Sequence, residues 1–258
     1  MSQRSGYEPG VPCWVDLSST DAEASRHFYG ELFGWQAEVF PDPAAGGYGE
    51  FKHQGKRVAG VGPVMAEGMP SAWNTYVSTQ DAAAVADRVK NSGGTVVVEP
   101  MQVFDAGTMA VFQSPDGSFC SVWQSGNHSG AELVNEPGSF CWNELESRDV
   151  AKATQFYADV FGWSAQSQDM GGMTYTEWHN GGQSVAGMME MSSDYPEGTP
   201  SFWMVYFAVA DIDASIAKAR DRGAAILVEA MDAPPGRFGM LLDPQGAAFS
   251  IIQLAQNA

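Results

Sequence analysis

The chain repeats itself, and that repeat limits what it can fold into more than any other feature. Cys13-Trp14-Val15-Asp16-Leu17 returns 128 residues later as Cys141-Trp142-Asn143-Glu144-Leu145. Phe28-Tyr29 and Phe33-Gly34-Trp35 return at the same offset as Phe156-Tyr157 and Phe161-Gly162-Trp163. Val58-Ala59-Gly60 returns as Val185-Ala186-Gly187 at 127, and Trp73 and Tyr76 as Trp203 and Tyr206 at 130. Pro115-x-Gly117 returns as Pro244-x-Gly246 at 129. A fixed period with small drift marks two homologous domains that differ by short loop changes. They are predicted at 9–126 and 138–256, with a polar linker over 127–137.

Each half carries a finer pattern. In the first, a short strand over Pro12–Leu17 leads to Thr20 or Asp21 as helix cap, a helix from about Ala22 to Leu32, and a stop at Gly34. Strands follow near Gln36–Val39, Tyr48–His53 and Val58–Val64, with Gln54-Gly55 as a hairpin turn. A second unit repeats the order: strand Trp73–Ser78, a helix capped near Asp81 and ended by Gly93-Gly94, then three strands. The fold class is α+β, with four βαβββ modules in two tandem domains.

Composition narrows the partners. Asp plus Glu number 31 against 13 Lys plus Arg, a formal charge of −18. Phosphate backbones and anionic lipid surfaces are recognised by Lys and Arg, so nucleic acid and membrane are excluded as partners. No apolar run is long enough to span a bilayer, and Met1–Gly6 holds no hydrophobic signal core, which predicts a cytoplasmic protein. Three cysteines without CxxC spacing fit a reduced compartment. Cys13 and Cys141 alternate to the helix side of their strands and read as core.

These residues carry a resemblance. Asp21…Phe28-Tyr29…Phe33-Gly34-Trp35, the Asp81…Gly93 helix unit and Pro115-Asp116-Gly117, with their doubles in the second half, resemble the vicinal oxygen chelate superfamily of glyoxalase I, bleomycin-resistance proteins and extradiol dioxygenases. Nearly the whole chain is covered. The tandem form resembles the actinobacterial type typified by a mycobacterial antigen and by hydroxylase-like proteins of aromatic polyketide clusters. The resemblance implies that two modules form one cupped eight-stranded sheet in each half. It also implies metal ligands on the first, fifth and eighth strands of metal-dependent members. Those positions are Trp14, Asn74 and Ser121 here, and Trp142, Met204 and Ser250 in the second half. Trp and Met do not hold a catalytic divalent cation, and Ser is a poor ligand. No cofactor is expected, although a relocated metal site through Asp16, Glu144 or Glu146 stays open.

The cups are expected to hold something else. Alternation along the strands puts Trp14, Asp16, Asn74, Tyr76, Ser121 and Trp123 on the concave face of the first half. It puts Trp142, Glu144, Met204, Tyr206 and Ser250 on that of the second, with Glu146 beside Glu144. Aromatic walls with one or two acids suit a small aromatic or amphipathic ligand. The alternative is that the rings fill the cup as core, but a buried Asp16 or Glu144 without a partner is costly. The leading expectation is a metal-free binding protein for an aromatic metabolite, an antibiotic or a polyketide intermediate. It acts as a monomer with paired domains or as a homodimer. The rival is a lyase, isomerase or oxygenase acting on a vicinal oxygen substrate, with Tyr76–Asp16 or Tyr206–Glu144 as acid–base pairs. The two pockets are expected to differ. His53 and His179 read as exposed turn residues, Glu50 and Glu177 as solvated strand carboxylates, His128 as a linker residue and Arg237 as the one cation of a rim loop.

Overall fold

The computed structural model describes residues 2–171, 173–193 and 195–255. The first half runs β1 (Pro12–Ser19), α1 (Ala22–Phe33), β2 (Gln36–Val39), β3 (Gly49–His53) and β4 (Lys56–Pro63). It continues with β5 (Ala72–Thr79), α2 (Ala82–Asn91), β6 (Thr95–Val103), β7 (Gly107–Gln113) and β8 (Phe119–Ser125). The second half repeats this as β9 (Ser139–Ser147), α3 (Val150–Phe161), β10 (Ser164–Asp169), β11 (Thr174–Asn180) and β12 (Gln183–Glu190). Then come β13 (Phe202–Ala208), α4 (Ile212–Asp221), β14 (Ala225–Ala233), β15 (Gly236–Leu242) and β16 (Ala248–Leu254). Among the described residues no helix is long and apolar enough to cross a membrane.

Local chemistry sets the boundaries. Each helix opens on an aspartate, Asp21, Asp81, Asp149 or Asp211, whose side chain accepts the backbone amide three residues on. That bond satisfies one of the free donors of the first turn. Gly34 and Gly162 end α1 and α3 in the left-handed conformation that glycine adopts without strain. Gln54 and Gly55 both have positive φ, 52° and 74°, which suits a two-residue hairpin turn between β3 and β4.

The strands form two eight-stranded mixed sheets, ordered β2-β3-β4-β1-β5-β8-β7-β6 and β10-β11-β12-β9-β13-β16-β15-β14. The first strands of paired modules, β1 with β5 and β9 with β13, meet antiparallel at each centre. The convex backs of the sheets then pack on each other across the halves. One core joins Phe28, Tyr29 and Phe33 of the first module to Phe207, Phe249 and Ile251 of the last. The other joins Phe112 and Val122 of the second module to Phe156 and Tyr157 of the third and Trp203 of the last. Thr75 Oγ1 donates to Asn143 Oδ1 at 2.8 Å between the two central strands.

Polar ties repeat with the sequence. Trp73 Nε1 donates to Tyr29 OH, which donates to Asp243 Oδ2 of the other half at 3.0 Å. Trp203 Nε1 likewise donates to Tyr157 OH, which meets Ser118 Oγ. Trp35 and Trp163 pack beside Phe33 and Phe161 of their helices, and their indole N–H groups cross over, to Gly138 O and Gly10 O. The linker is less polar in effect than its composition suggests, since Ala131, Leu133 and Val134 are buried in the first core.

Because each core draws on both halves, the chain is expected to unfold in one transition. Phe207 touches Phe33, Trp35 and Trp73 across the halves. A Phe207→Ala change should lower stability by about 3–5 kcal/mol. Urea unfolding followed by tryptophan fluorescence and by circular dichroism should give coincident curves. Two separate transitions would contradict the shared cores.

Candidate functional site

With the backs joined, each sheet turns its concave face outward. Register builds that face row by row. Glu50, Gly60, Asp16 and Asn74 line up across β3, β4, β1 and β5. Trp14, Tyr76 and Ser121 form the next row across β1, β5 and β8. In the second half the rows are Glu177, Gly187, Glu144 and Met204, then Trp142, Tyr206 and Ser250. A third row there carries Tyr175, Met189, Glu146 and Phe202. The concave residues expected from alternation are thus brought together in each half.

The first cup satisfies itself. Asp16 is 6% exposed, and its carboxylate accepts Asn74 Nδ2 at 2.8 Å, Tyr76 OH at 2.9 Å and Tyr48 OH at 3.2 Å. Burial pushes this carboxyl up, against the pull of those three donors. The linker closes the remaining space. His128 packs edge-on against Trp14 and Trp123, with ring centroids 4.5 and 5.6 Å away, and its carbonyl accepts Trp123 Nε1. Its Nδ1 accepts the Gly130 amide, which leaves Nε2 as the N–H facing Glu50 Oε1 at 3.4 Å. Burial lowers the imidazole to about 4, so it stays neutral at physiological pH. Two expectations are corrected here. His128 is no bystander of the linker, and Glu50 is buried rather than solvated, because the plug covers it.

Tyr48 and its repeat Tyr175 are site residues that the motif reading missed. The signal was present, since 127 residues separate them, the offset that joins Gly60 to Gly187. The glycines make room for them. A Cβ on Gly60 would sit 2.0 Å from Tyr48 OH, and one on Gly187 would sit 2.2 Å from Tyr175 OH. Each tyrosine therefore lies across its strand opposite the acid and accepts the neighbouring indole, Trp14 Nε1 at 3.2 Å or Trp142 Nε1 at 3.1 Å.

The second cup is built alike but left incomplete. Tyr206 OH donates to Glu144 Oε1 at 2.8 Å. Two residues on, Glu146 is 2% exposed, and its Oε1 has no hydrogen-bond partner. Ser250 is fully buried in the next row but one, beside Tyr206. Burial raises both carboxyls, and the charge of Glu144 raises Glu146 further, to about 8. Glu146 thus keeps its proton at neutral pH. Trp142, Phe202, Phe238, Met240 and Ala248 are only partly buried and pack on Met204, Tyr206 and Ile252 as a cluster apart from the two cores. Trp14, its counterpart in the first cup, is 4% exposed.

Other expectations shift. His53 and His179 are half-buried rather than exposed, because one packs against Gly138 and the other lies beside Glu177. Arg237 is occupied by Asp213 and Asp232, so the rim loop has no spare charge there. Cys13 is buried and Cys141 half-buried, and each thiol donates to a strand carbonyl. Met188 and Met191 are core, while Met189 stays half-buried on the concave side. Two surface clefts of about 410 and 340 Å³ lie beside Tyr7 and between α1 and α4. Neither includes a residue of the cups.

The residues at the family's metal positions do not fit a divalent cation. The indoles of Trp14 and Trp142 donate and offer no lone pair. Met204 is a soft thioether, and Asn74 is spent on Asp16 and Ser18. Among the described residues no three His, Cys, Asp or Glu side chains converge.

The model of the glyoxalase/bleomycin resistance protein/dioxygenase superfamily matches residues 13–120 and 144–251. CFP32 of Mycobacterium tuberculosis is 41% identical over 261 residues, with 99% of each chain covered. The anthracycline biosynthesis protein DnrV of Streptomyces peucetius is 40% identical over 265 residues, covering 97% of this chain and 96% of DnrV. Two solved structures share the fold at low identity. The Mn(II)-bound glyoxalase of Novosphingobium aromaticivorans has a TM-score of 0.66 at 16% identity, covering all of this chain and 87% of its own. The 2,2',3-trihydroxybiphenyl 1,2-dioxygenase of Sphingomonas wittichii has 0.65 at 13%, covering 97% and 93%.

Two outcomes follow from this geometry. A Gly187→Ala change should displace Tyr175 and cost about 1–3 kcal/mol in urea unfolding, as overpacking does. Glu146 binds its proton more tightly when folded, so the folded state holds more protons than the unfolded between about pH 4.5 and 8. Its contribution to stability is therefore fully present below that window and falls as pH rises through it, by up to about 5 kcal/mol. Glu146→Gln should flatten that part of the curve. An unchanged pH dependence in the variant would contradict the raised carboxyl.

Proposed function

The chain belongs to the glyoxalase/bleomycin resistance protein/dioxygenase superfamily, and from that premise we propose that it binds one small aromatic or amphipathic molecule on the concave face of its second half, without a metal ion. The observation that carries this is the buried Glu146 Oε1, which has no hydrogen-bond partner on the concave face of β9. Such an atom costs free energy until a ligand supplies a donor or acceptor. The partly exposed rings and methionines around it supply the apolar part of a binding face.

The halves of that face suit different parts of a ligand. Trp142 and Phe238 offer ring surface, and Met240 an adaptable wall. The protonated Glu146 offers one O–H donor and the free Oε1 an acceptor, which suits hydroxyl and keto groups. The first cup is proposed to be structural, because Asp16 and His128 already occupy it. Similarity at 40% identity to an anthracycline biosynthesis protein supports a fused-ring, oxygen-rich ligand. The cross-half cores give one chain the pairing of two domains, so it is proposed to act as a monomer.

Titration with an anthracyclinone, followed by tryptophan fluorescence in the presence of EDTA, is expected to saturate at one ligand per chain. Trp142→Ala should weaken binding about tenfold or more, some 1.4 kcal/mol, and Trp14→Ala should change it little. Equal losses in both variants, or dependence on added metal, would overturn the assignment. The acid pair favours a second reading, catalysis at the same face.

A further inference from the structure

The duplication lets one half of the chain report on the other. In the first half the linker returns over the concave face, where His128 N donates to Ala106 O and Ala131 N to Cys13 O. The imidazole then stands edge-on between Trp14 and Trp123, with its Nε2–H facing Glu50 Oε1 at 3.4 Å. His128 is in effect a ligand that the chain supplies to itself. Cys13, Trp14 and Glu50, which lie beneath this segment, are at most 8% exposed.

The second half keeps the frame of that site. Trp142 stands for Trp14, Tyr206 for Tyr76, and Tyr175 over Gly187 for Tyr48 over Gly60. Glu177 pairs with Gly187 as Glu50 pairs with Gly60. The ring has no counterpart. Ala255 N donates to Pro235 O as Gly126 N donates to Ala106 O, so both halves leave the sheet in the same way. At that offset His128 falls on Asn257, a residue without a ring and outside the described residues. Cys141, Trp142 and Glu177 are all half-buried, each where its counterpart in the first half is covered. Beside Glu177 Oε2, at 3.4 Å, lies His179 Nε2, a nitrogen without a hydrogen-bond partner.

One wall differs. Trp123, whose Nε1 holds the His128 carbonyl, is replaced by Ile252, which has no donor. Phe238 pairs with Ile252 where Met109 pairs with Trp123. The second cup thus keeps the groups that meet the ring and lacks the one that holds the backbone. That favours a free heterocycle over a histidine-bearing peptide.

We propose that the second cup binds an azole, a planar five-membered nitrogen ring with a free N–H, at the place that His128 fills in the first. The N–H donates to Glu177, and the ring packs against Trp142 and Phe238. The inference rests on the reading that the second cup is the ligand site, and it adds a nitrogen ring to that ligand. Glu146 on β9 lies two strands from Glu177 on β11, so it remains for an oxygen group of the same molecule.

The test titrates the full chain with benzimidazole by calorimetry, in EDTA so that no metal ion bridges the ring. One site per chain is expected. 1-Methylbenzimidazole, which has no N–H, should bind about tenfold more weakly, the usual worth of a strong hydrogen bond. Glu177→Ala should cost benzimidazole about as much, with circular dichroism reporting that the variant is folded. His128→Ala empties the matching place in the first cup, so a second azole site is expected in that variant. Wild type that takes up no benzimidazole, equal affinity for the methylated probe, or full affinity in Glu177→Ala would overturn the proposal. So would an azole bound by His128→Ala and not by the wild type. Anthracyclinone quenching is measured on the same samples. If it persists when the azole fails, the binding reading stands and only the nitrogen ring is lost; if both fail, the binding reading falls too.

Discussion

A carboxyl group taken out of water must keep a proton or be met by donors, and the two cups answer that demand in opposite ways. In the first, Asn74, Tyr76 and Tyr48 meet Asp16. His128 then seals the face between Trp14 and Trp123. In the second, a glutamate replaces the shorter aspartate and a second glutamate stands where the first half has Ser18. Three donors would suffice for one charge, but not for two. The surplus is settled by one retained proton and by an oxygen left without a partner. The duplication thus yields one cup whose acid is fully met and one whose second acid keeps an oxygen without a partner.

The cups exist because the backs of the sheets are spent on each other. Neither half closes a core alone. Phe28 and Phe33 need Phe207 and Phe249, and Phe112 needs Phe156 and Phe161. With the convex faces buried, the concave faces remain for function. The repeated Tyr–Gly pair finishes each cup, because a bare Cα in β4 or β12 lets a phenol lie flat over the strand and reach the indole beside it. Rigid support of this kind lets a carboxyl keep its geometry in the absence of ligand.

Much of this was legible in the residues. The doubled motifs gave the modules, the aspartate caps gave the helix starts, and alternation gave the concave face with Trp14, Asp16, Trp142 and Glu144 upon it. What escaped reading was long-range. Nothing local to Gly126–Gly130 says that His128 will turn back into a cup and bury Glu50. Tyr48 was expected to open the third strand, but its reach over Gly60 to Asp16 is a cross-strand contact that only the fold shows, although the 127-residue repeat singles it out. Trp35 stands next to the glycine that ends α1, yet the carbonyl its indole serves belongs to Gly138, more than 100 positions away. Short-range pattern fixes which face a side chain takes, whereas partners across the fold depend on tertiary contacts.

The account depends most on the state of the acid pair in the second cup, and carboxyl-¹³C NMR on glutamate-labelled protein reads that state directly. One glutamate signal, absent from Glu146→Gln, is predicted to titrate near pH 8 in the free protein and to move when anthracyclinone is added. Glutamate signals that all titrate as exposed carboxylates do, or a Glu146 signal indifferent to the ligand, would contradict the claim that this cup holds a protonated acid awaiting a partner.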